Sequence, residues 1–177
     1  MVFTHDTEGA LTSAVALVNS GEDPDTLTTR GQLSAFFVEQ GYTGRFDGDE
    51  AELEAVRNLR PSLRRLLTSD RDSAVELVNT ILSDARALPR LVRHGEMDWH
   101  LHAVSDDRPL ADRIAVETAM AMIDVIRADE LSRLDICAAD CDGIVLDLSR
   151  NRSRKFCSTA CGNREAVAAY RTRKSGI

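Results

Sequence analysis

Four cysteines, Cys137, Cys141, Cys157 and Cys161, are the residues of this chain whose type and spacing could do chemistry. All of them fall within 25 positions, and none precedes position 137. The pattern is C-x3-C, fifteen residues, then C-x3-C. Thiolates are soft donors, and four of them delivered as two close pairs can form a tetrahedron around one zinc ion with little ordering of the chain. A secreted disulfide scaffold spreads its cysteines through the fold it staples. Two close pairs in an otherwise cysteine-free chain read instead as metal ligands. Two disulfides are the alternative, and they need an oxidising compartment that nothing else in the sequence implies. Four cysteines also leave no coordination position for water, so the expected ion is structural rather than catalytic.

The second chemical feature is charge. The 177 residues carry a net charge of −7, which alone argues against a nucleic-acid partner, but the charge is unevenly placed. Residues 148–177 hold eight cations against one acid, Glu165, for a local net of +7, whereas residues 1–147 sum to −14. Such asymmetry suggests that the two parts meet different partners. The cations are Arg150, Arg152, Arg154, Lys155, Arg164, Arg171, Arg173 and Lys174, and with Asn163 they form the candidate nucleic-acid-binding set. Guanidinium groups can fork onto phosphate oxygens, and an Asn side chain can pair with a base edge. Each also has a structural reading. Cations near a helix C-terminus stabilise its dipole, an Asn can cap a helix, and Arg150 or Asn151 can brace a turn.

These residues need elements to position them. Gly143–Leu148 has strand character, 149–153 is turn-like, and Lys155-Phe156 can return as a second strand. The run after Cys161 is a good helix former. Knuckle, hairpin and helix in that order describe a treble-clef-like zinc fold, with Cys161 near a helix N-terminus where the dipole favours thiolate. Upstream, apolar residues recur at helical spacing over about 7–20, 28–40, 49–67 and from Asp70 or Asp72 onward, with Pro61 expected to kink or break the third segment. Residues 89–94 and 99–104 flank Gly95-Glu96-Met97-Asp98 and read as a β-hairpin. Asp106, Asp107 and Pro109 open a last long helix. The expected fold class is therefore mainly α: a helical domain with one hairpin over residues 1–130, then a small zinc finger with a basic C-terminal helix over 131–177.

Several function classes are set aside. Hydrophobic residues make up 43% and charged residues 29%, the balance of a globular protein, and no apolar run is long enough to span a membrane. The opening residues lack the basic and apolar regions of a secretory signal, so a cytoplasmic location is expected. No Gly-rich phosphate loop, nucleophile elbow or paired-acid motif is present, and no enzymatic activity is expected. His100 and His102 alternate on the predicted strand and face one side, with His94 across the hairpin. They could form a second metal or catalytic site, although packing or exposure explains them as well.

The run Cys157-Ser158-Thr159-Ala160-Cys161-Gly162-Asn163-Arg164, preceded by Asp147-Leu148-Ser149-Arg150-Asn151-Arg152-Ser153-Arg154, resembles the CGNR zinc-finger family, named for the tetrapeptide found here at 161–164. Ala16-Leu17-Val18-Asn19 is similar to the opening helix of the ABATE domain, a stress-induced transcription regulator by description, which precedes the finger in members of that family. The first cysteine pair departs from the pattern, in which four residues often separate the two cysteines where three do here. The resemblance implies a bacterial transcription regulator with one zinc on the four cysteines and DNA as partner. An N-terminal sensor or interaction part would receive a small-molecule or protein effector, and a homodimer would supply the area that tight specific binding needs. The competing reading is a non-enzymatic docking or dimerisation module stabilised by zinc.

Overall fold

The computed structural model describes residues 3–94 and 97–175. Five helices come first: α1 (His5–Asn19), α2 (Arg30–Glu39), α3 (Glu50–Asn58), α4 (Arg60–Thr68) and α5 (Arg71–Asp84). Local chemistry sets their ends. Thr29 and Gln32 form a reciprocal capping box on α2, and the Asp49 and Asp70 carboxylates accept the backbone N–H of Glu52 and Ser73 to start α3 and α5. Pro61 sits in the first turn of α4, where its missing N–H is harmless, so the expected long third helix is two helices broken at Leu59.

The hairpin follows as β1 (Arg90–His94) and β2 (Met97–His102), paired antiparallel with Leu91 opposite Leu101. The 18-residue α6 (Leu110–Arg127) then crosses the body. It packs against α1 and α5, and α1 also packs on α4. Their apolar faces build one core from Leu11, Leu17, Leu53, Val56, Leu66, Ile114 and Met122 among others. The buried face of α5 runs through Ala74 and Val78, and Val75 beside it is 39% exposed.

A single 3-10 turn (Leu131–Arg133) leads into β3 (Leu134–Ile136), then β4 (Ile144–Leu146) and finally α7 (Thr159–Ser175). The partner of the 144–146 strand is therefore β3, not Lys155-Phe156 as expected. Among the described residues one backbone bond joins that later segment to the knuckle, Ala138 N–H to Lys155 O at 2.9 Å. The closer-in-sequence partner wins because Cys137 N–H extends the β3–β4 ladder to Gly143 O at 2.8 Å and closes the turn locally. Leu134, Ile144 and Leu146 belong to the same core as α1 and α6. The zinc hairpin is thus packed onto the helical body. No helix among the described residues is long and apolar enough to cross a membrane.

Candidate metal centre and nucleic-acid face

The turn of the β3–β4 hairpin carries the first cysteine pair; of the second, Cys157 lies two residues before α7 and Cys161 sits in its first turn. Cys137 follows β3 directly, and Cys141 N–H returns to Ala139 O at 2.7 Å. Two residues on, Gly143 makes the approach of the pairs possible. A Cβ there would lie 2.7 Å from Cys157 Sγ, a separation that real contacts essentially never show. Cys157 and Cys161 sit one helical turn apart. Ser158 Oγ accepts the Cys161 N–H at 3.2 Å, and Cys137 Sγ accepts the Cys157 N–H at 3.3 Å.

The sulfurs of Cys141, Cys157 and Cys161 are 3.6–3.7 Å apart, and all four ligand atoms lie within 4.8 Å of one another. Zinc–thiolate bonds of about 2.3 Å imply a tetrahedral edge of about 3.8 Å, whereas a disulfide needs about 2.05 Å. The four thiols are free. Donor type, count and spacing fit one zinc ion with a closed shell. Burial, reinforced by the neighbouring thiols, pushes Cys157 up to about 12, while the hydrogen bond with Ser158 leads Cys161 down to about 7. Crowded thiols resist ionising together, and a divalent cation supplies the charge that lets all four act as thiolates. Among the described residues this is the only such converging set of three or more potential ligands.

The histidines do not join it. His100 and His102 do face one side, as their alternation predicts, but their ring nitrogens meet each other at 3.0 Å. Their other nitrogens meet Asp98 O at 2.7 Å and Asp106 Oδ1 at 3.1 Å. The side chain of His94 lies outside the described residues.

The structure separates the basic set into two groups. Arg152 reaches Glu130 Oε2 at 2.6 Å and Ser132 Oγ at 3.0 Å, with its own backbone at a left-handed φ of 48°. Arg154 directs its guanidinium to the carbonyls of Leu146, Phe156 and Cys157 at 3.3–3.5 Å. Arg164 donates to Cys161 Sγ at 3.3 Å, the kind of outer hydrogen bond that orients a metal ligand. These three brace the finger. Arg150, Lys155, Arg173 and Lys174 are exposed, and their side chains make no hydrogen bond or ion pair among the described residues; Asn163 and Arg171 are exposed on α7.

Sequence reasoning missed the residues that hold the loop between the pairs. Arg133 is 6% exposed and donates to Glu130 Oε2, Asp147 O and Ser149 O at 2.8–3.0 Å. The buried Asp147 carboxylate accepts the N–H groups of Ser149 and Arg154 at 2.8 and 2.7 Å. Burial alone would raise its pKa, but hydrogen bonds from Ser149 and Arg154 outweigh it and hold the carboxyl below its usual range. Asn19, at the end of α1, pairs both ways with β4: its amide donates to Ile144 O at 2.8 Å and its oxygen accepts Ile144 N–H at 2.7 Å. The available signals were a polar Asn closing an apolar helix and a glycine two residues after a knuckle cysteine.

Two family models match. The ABATE model, described as "Putative stress-induced transcription regulator", covers residues 11–129, and the CGNR zinc-finger model covers residues 133–174. Neither description is that of an enzyme, and no curated protein matches the chain. With a helical body under the first match and a converging four-cysteine cluster under the second, the chain belongs to the ABATE family and ends in a CGNR zinc finger whose four cysteines are its zinc site.

Proposed function

We propose that this protein is a non-enzymatic regulator that binds duplex DNA through α7 and the 150–155 loop, with residues 1–130 as the sensing or interacting part and 131–177 as the DNA-reading part. The observation that carries this is the exposure of α7. From Asn163 to Lys174 every residue except Glu165 is exposed, and Arg171, Arg173 and Lys174 crowd its far end. Most protein helices are stabilised by packing one face on a core, which α7 barely does, and a basic, projecting helix is what a DNA major groove accepts. Phosphate contacts would fall to Arg150, Lys155, Arg173 and Lys174, whose side chains are uncommitted among the described residues.

A second reading has its own observation. Val167 and Tyr170 are 48% and 60% exposed and lie three residues apart, on one face of α7. That stripe would suit docking to a second copy of the chain, either instead of DNA or beside it in a homodimer.

Salt separates the two readings. Zinc-loaded full-length protein, titrated with fluorescent duplex DNA at increasing salt, should show a log–log slope of roughly −4 if about four or five phosphates are neutralised. Arg150→Ala and Lys155→Ala should each make the slope shallower by about one unit, whereas Arg152→Ala should leave it unchanged. Absence of DNA binding at low salt, together with salt-insensitive self-association, would replace the DNA reading with the docking one. The full chain is needed, because an excised 131–177 fragment would expose Ile144 and Leu146, which the body buries.

A further inference from the structure

A cavity of about 370 Å³ opens between α1, α6, β2 and the segment after α2, within the size range of small-molecule sites. Its walls are largely apolar, with Ala10 on α1, Met120 and Ile123 on α6, Leu101 on β2 and the half-buried Tyr42. Into these walls are set three carboxylates, Asp6, Glu117 and Asp124. Thr7 Oγ1 donates to Asp124 at 2.6 Å, and Leu101 N–H faces Asp6 at 3.4 Å.

Glu117 is the exception. It projects from the apolar stripe of α6, next to Ile114 and Ala121, and makes no hydrogen bond or ion pair among the described residues. Burial raises its carboxyl to about 7; the Arg113 charge opposes this, and Asp106 adds to it. Arg113 is 4% exposed and lines the same cavity, but its donors go to the carbonyls of Thr43, Arg45 and Arg108. It lends Glu117 charge without a hydrogen bond. The other basic residues of the lining are His5 and Arg127, exposed at the rim, and His100 and His102, whose ring nitrogens meet each other at 3.0 Å. A largely buried carboxyl without a donor is costly, and a ligand that brings one recovers that cost.

We propose that this cavity binds a small organic cation, an ammonium or amidinium on an apolar body, whose N–H donors pair with Glu117 while the body lies against Ala10, Met120 and Ile123. This deepens the sensing role assigned above to residues 1–130 and rests on it. An anion would face three carboxylates across the cavity, and a neutral apolar molecule would leave Glu117 unpaired.

The test uses the full zinc-loaded chain and probes of one size, namely benzylamine, benzamidine, benzyl alcohol and benzoate, followed by calorimetry and thermal shift at millimolar concentration. The two cations should bind at least about tenfold more tightly than the alcohol or benzoate, and Glu117→Gln should remove that preference. Ala10→Phe, which places a ring on the α1 wall and leaves the Glu117 residue unchanged, should abolish binding and keeps the test open if Glu117→Gln misfolds. No binding of either cation, equal binding of benzoate, or an unchanged cation preference in Glu117→Gln overturns the proposal. DNA binding by the same samples is scored separately. Cation binding without DNA binding supports the cavity site and removes the regulator reading, and DNA binding without cation binding overturns the cavity site alone.

Discussion

The two pieces that hold the zinc are anchored in opposite ways. β3–β4 shares the core of the helical body: Ile144 is fully buried, Asn19 pairs with its backbone, and Arg64 of α4 donates to Asp142 O at 2.7 Å in the knuckle turn. α7 has almost nothing comparable. Beyond Cys161 it buries little, and the finger's own cluster is only Cys137, Ala139, Val145 and Cys161 with Phe156 and the remaining cysteines against it. The lesson is that the metal does different work on its two sides. It joins a hairpin that is already fixed to a helix that would otherwise be loose, so the basic helix is held by four sulfurs and a hairpin rather than by a core of its own.

The largest test of that contrast is removal of the ion. Structural zinc contributes on the order of 10 kcal/mol or more to the order of a small module. Chelation, or Cys161→Ser, should release α7 and remove roughly a fifth of the helical circular dichroism, while amide protection at Ile144 and Leu146 survives. Cooperative loss of the whole helical signal would show that both sides depend on the metal equally. Next in size, Ile144→Ala should destabilise the protein by about 3 kcal/mol in urea unfolding, because it empties a fully buried site, whereas Val167→Ala on the exposed helix should change stability by less than about 0.5 kcal/mol. Similar effects at the two positions would erase the distinction.

A pH test sharpens the picture of the body. Burial raises the folded pKa of Glu117 to about 7, above the ordinary carboxyl value of 4.5, with Arg113 opposing the shift and Asp106 adding to it. The native state therefore holds the extra proton between those values. The associated stability is fully present below about pH 4.5 and is lost as pH rises through 7. Glu117→Gln should match the wild type at pH 4 and exceed it by up to about 3 kcal/mol at pH 8 in denaturant titrations. A constant difference at all pH values would mean that the carboxyl is not shifted. The smallest expected effect is at the junction. Asn19→Ala leaves the Ile144 N–H and C=O without their partner and should cost about 2 kcal/mol, read as faster exchange of the Ile144 amide with zinc content unchanged.

Much of this protein could be read from its residues. The cysteine spacing identified the ligands, because thiolate donors must arrive in close pairs. The helical periods located α1 to α6, because one buried face demands apolar residues every three or four positions. Pro61 placed the break between α3 and α4, and the alternation of His100 and His102 placed them on one side of β2. The limits came where long-range partners decide. Nothing local distinguishes Arg150, which points to solvent, from Arg152, whose guanidinium is spent on Glu130 and Ser132. Charge counts alone do not separate cations committed to the fold from uncommitted ones for that reason. The strand opposite β4 was misassigned because Leu134–Ile136 reads as a linker until it pairs. Asn19 and Ile144 are 125 positions apart, and Glu117 meets Tyr42 and Arg113 only once α6 crosses the body. Residue type and spacing determined the metal, the helices and the charge. Which cations are free, where the hairpin docks and where a cavity opens were decided by tertiary structure, because hydrogen-bond partners and burial exist only after distant segments have met.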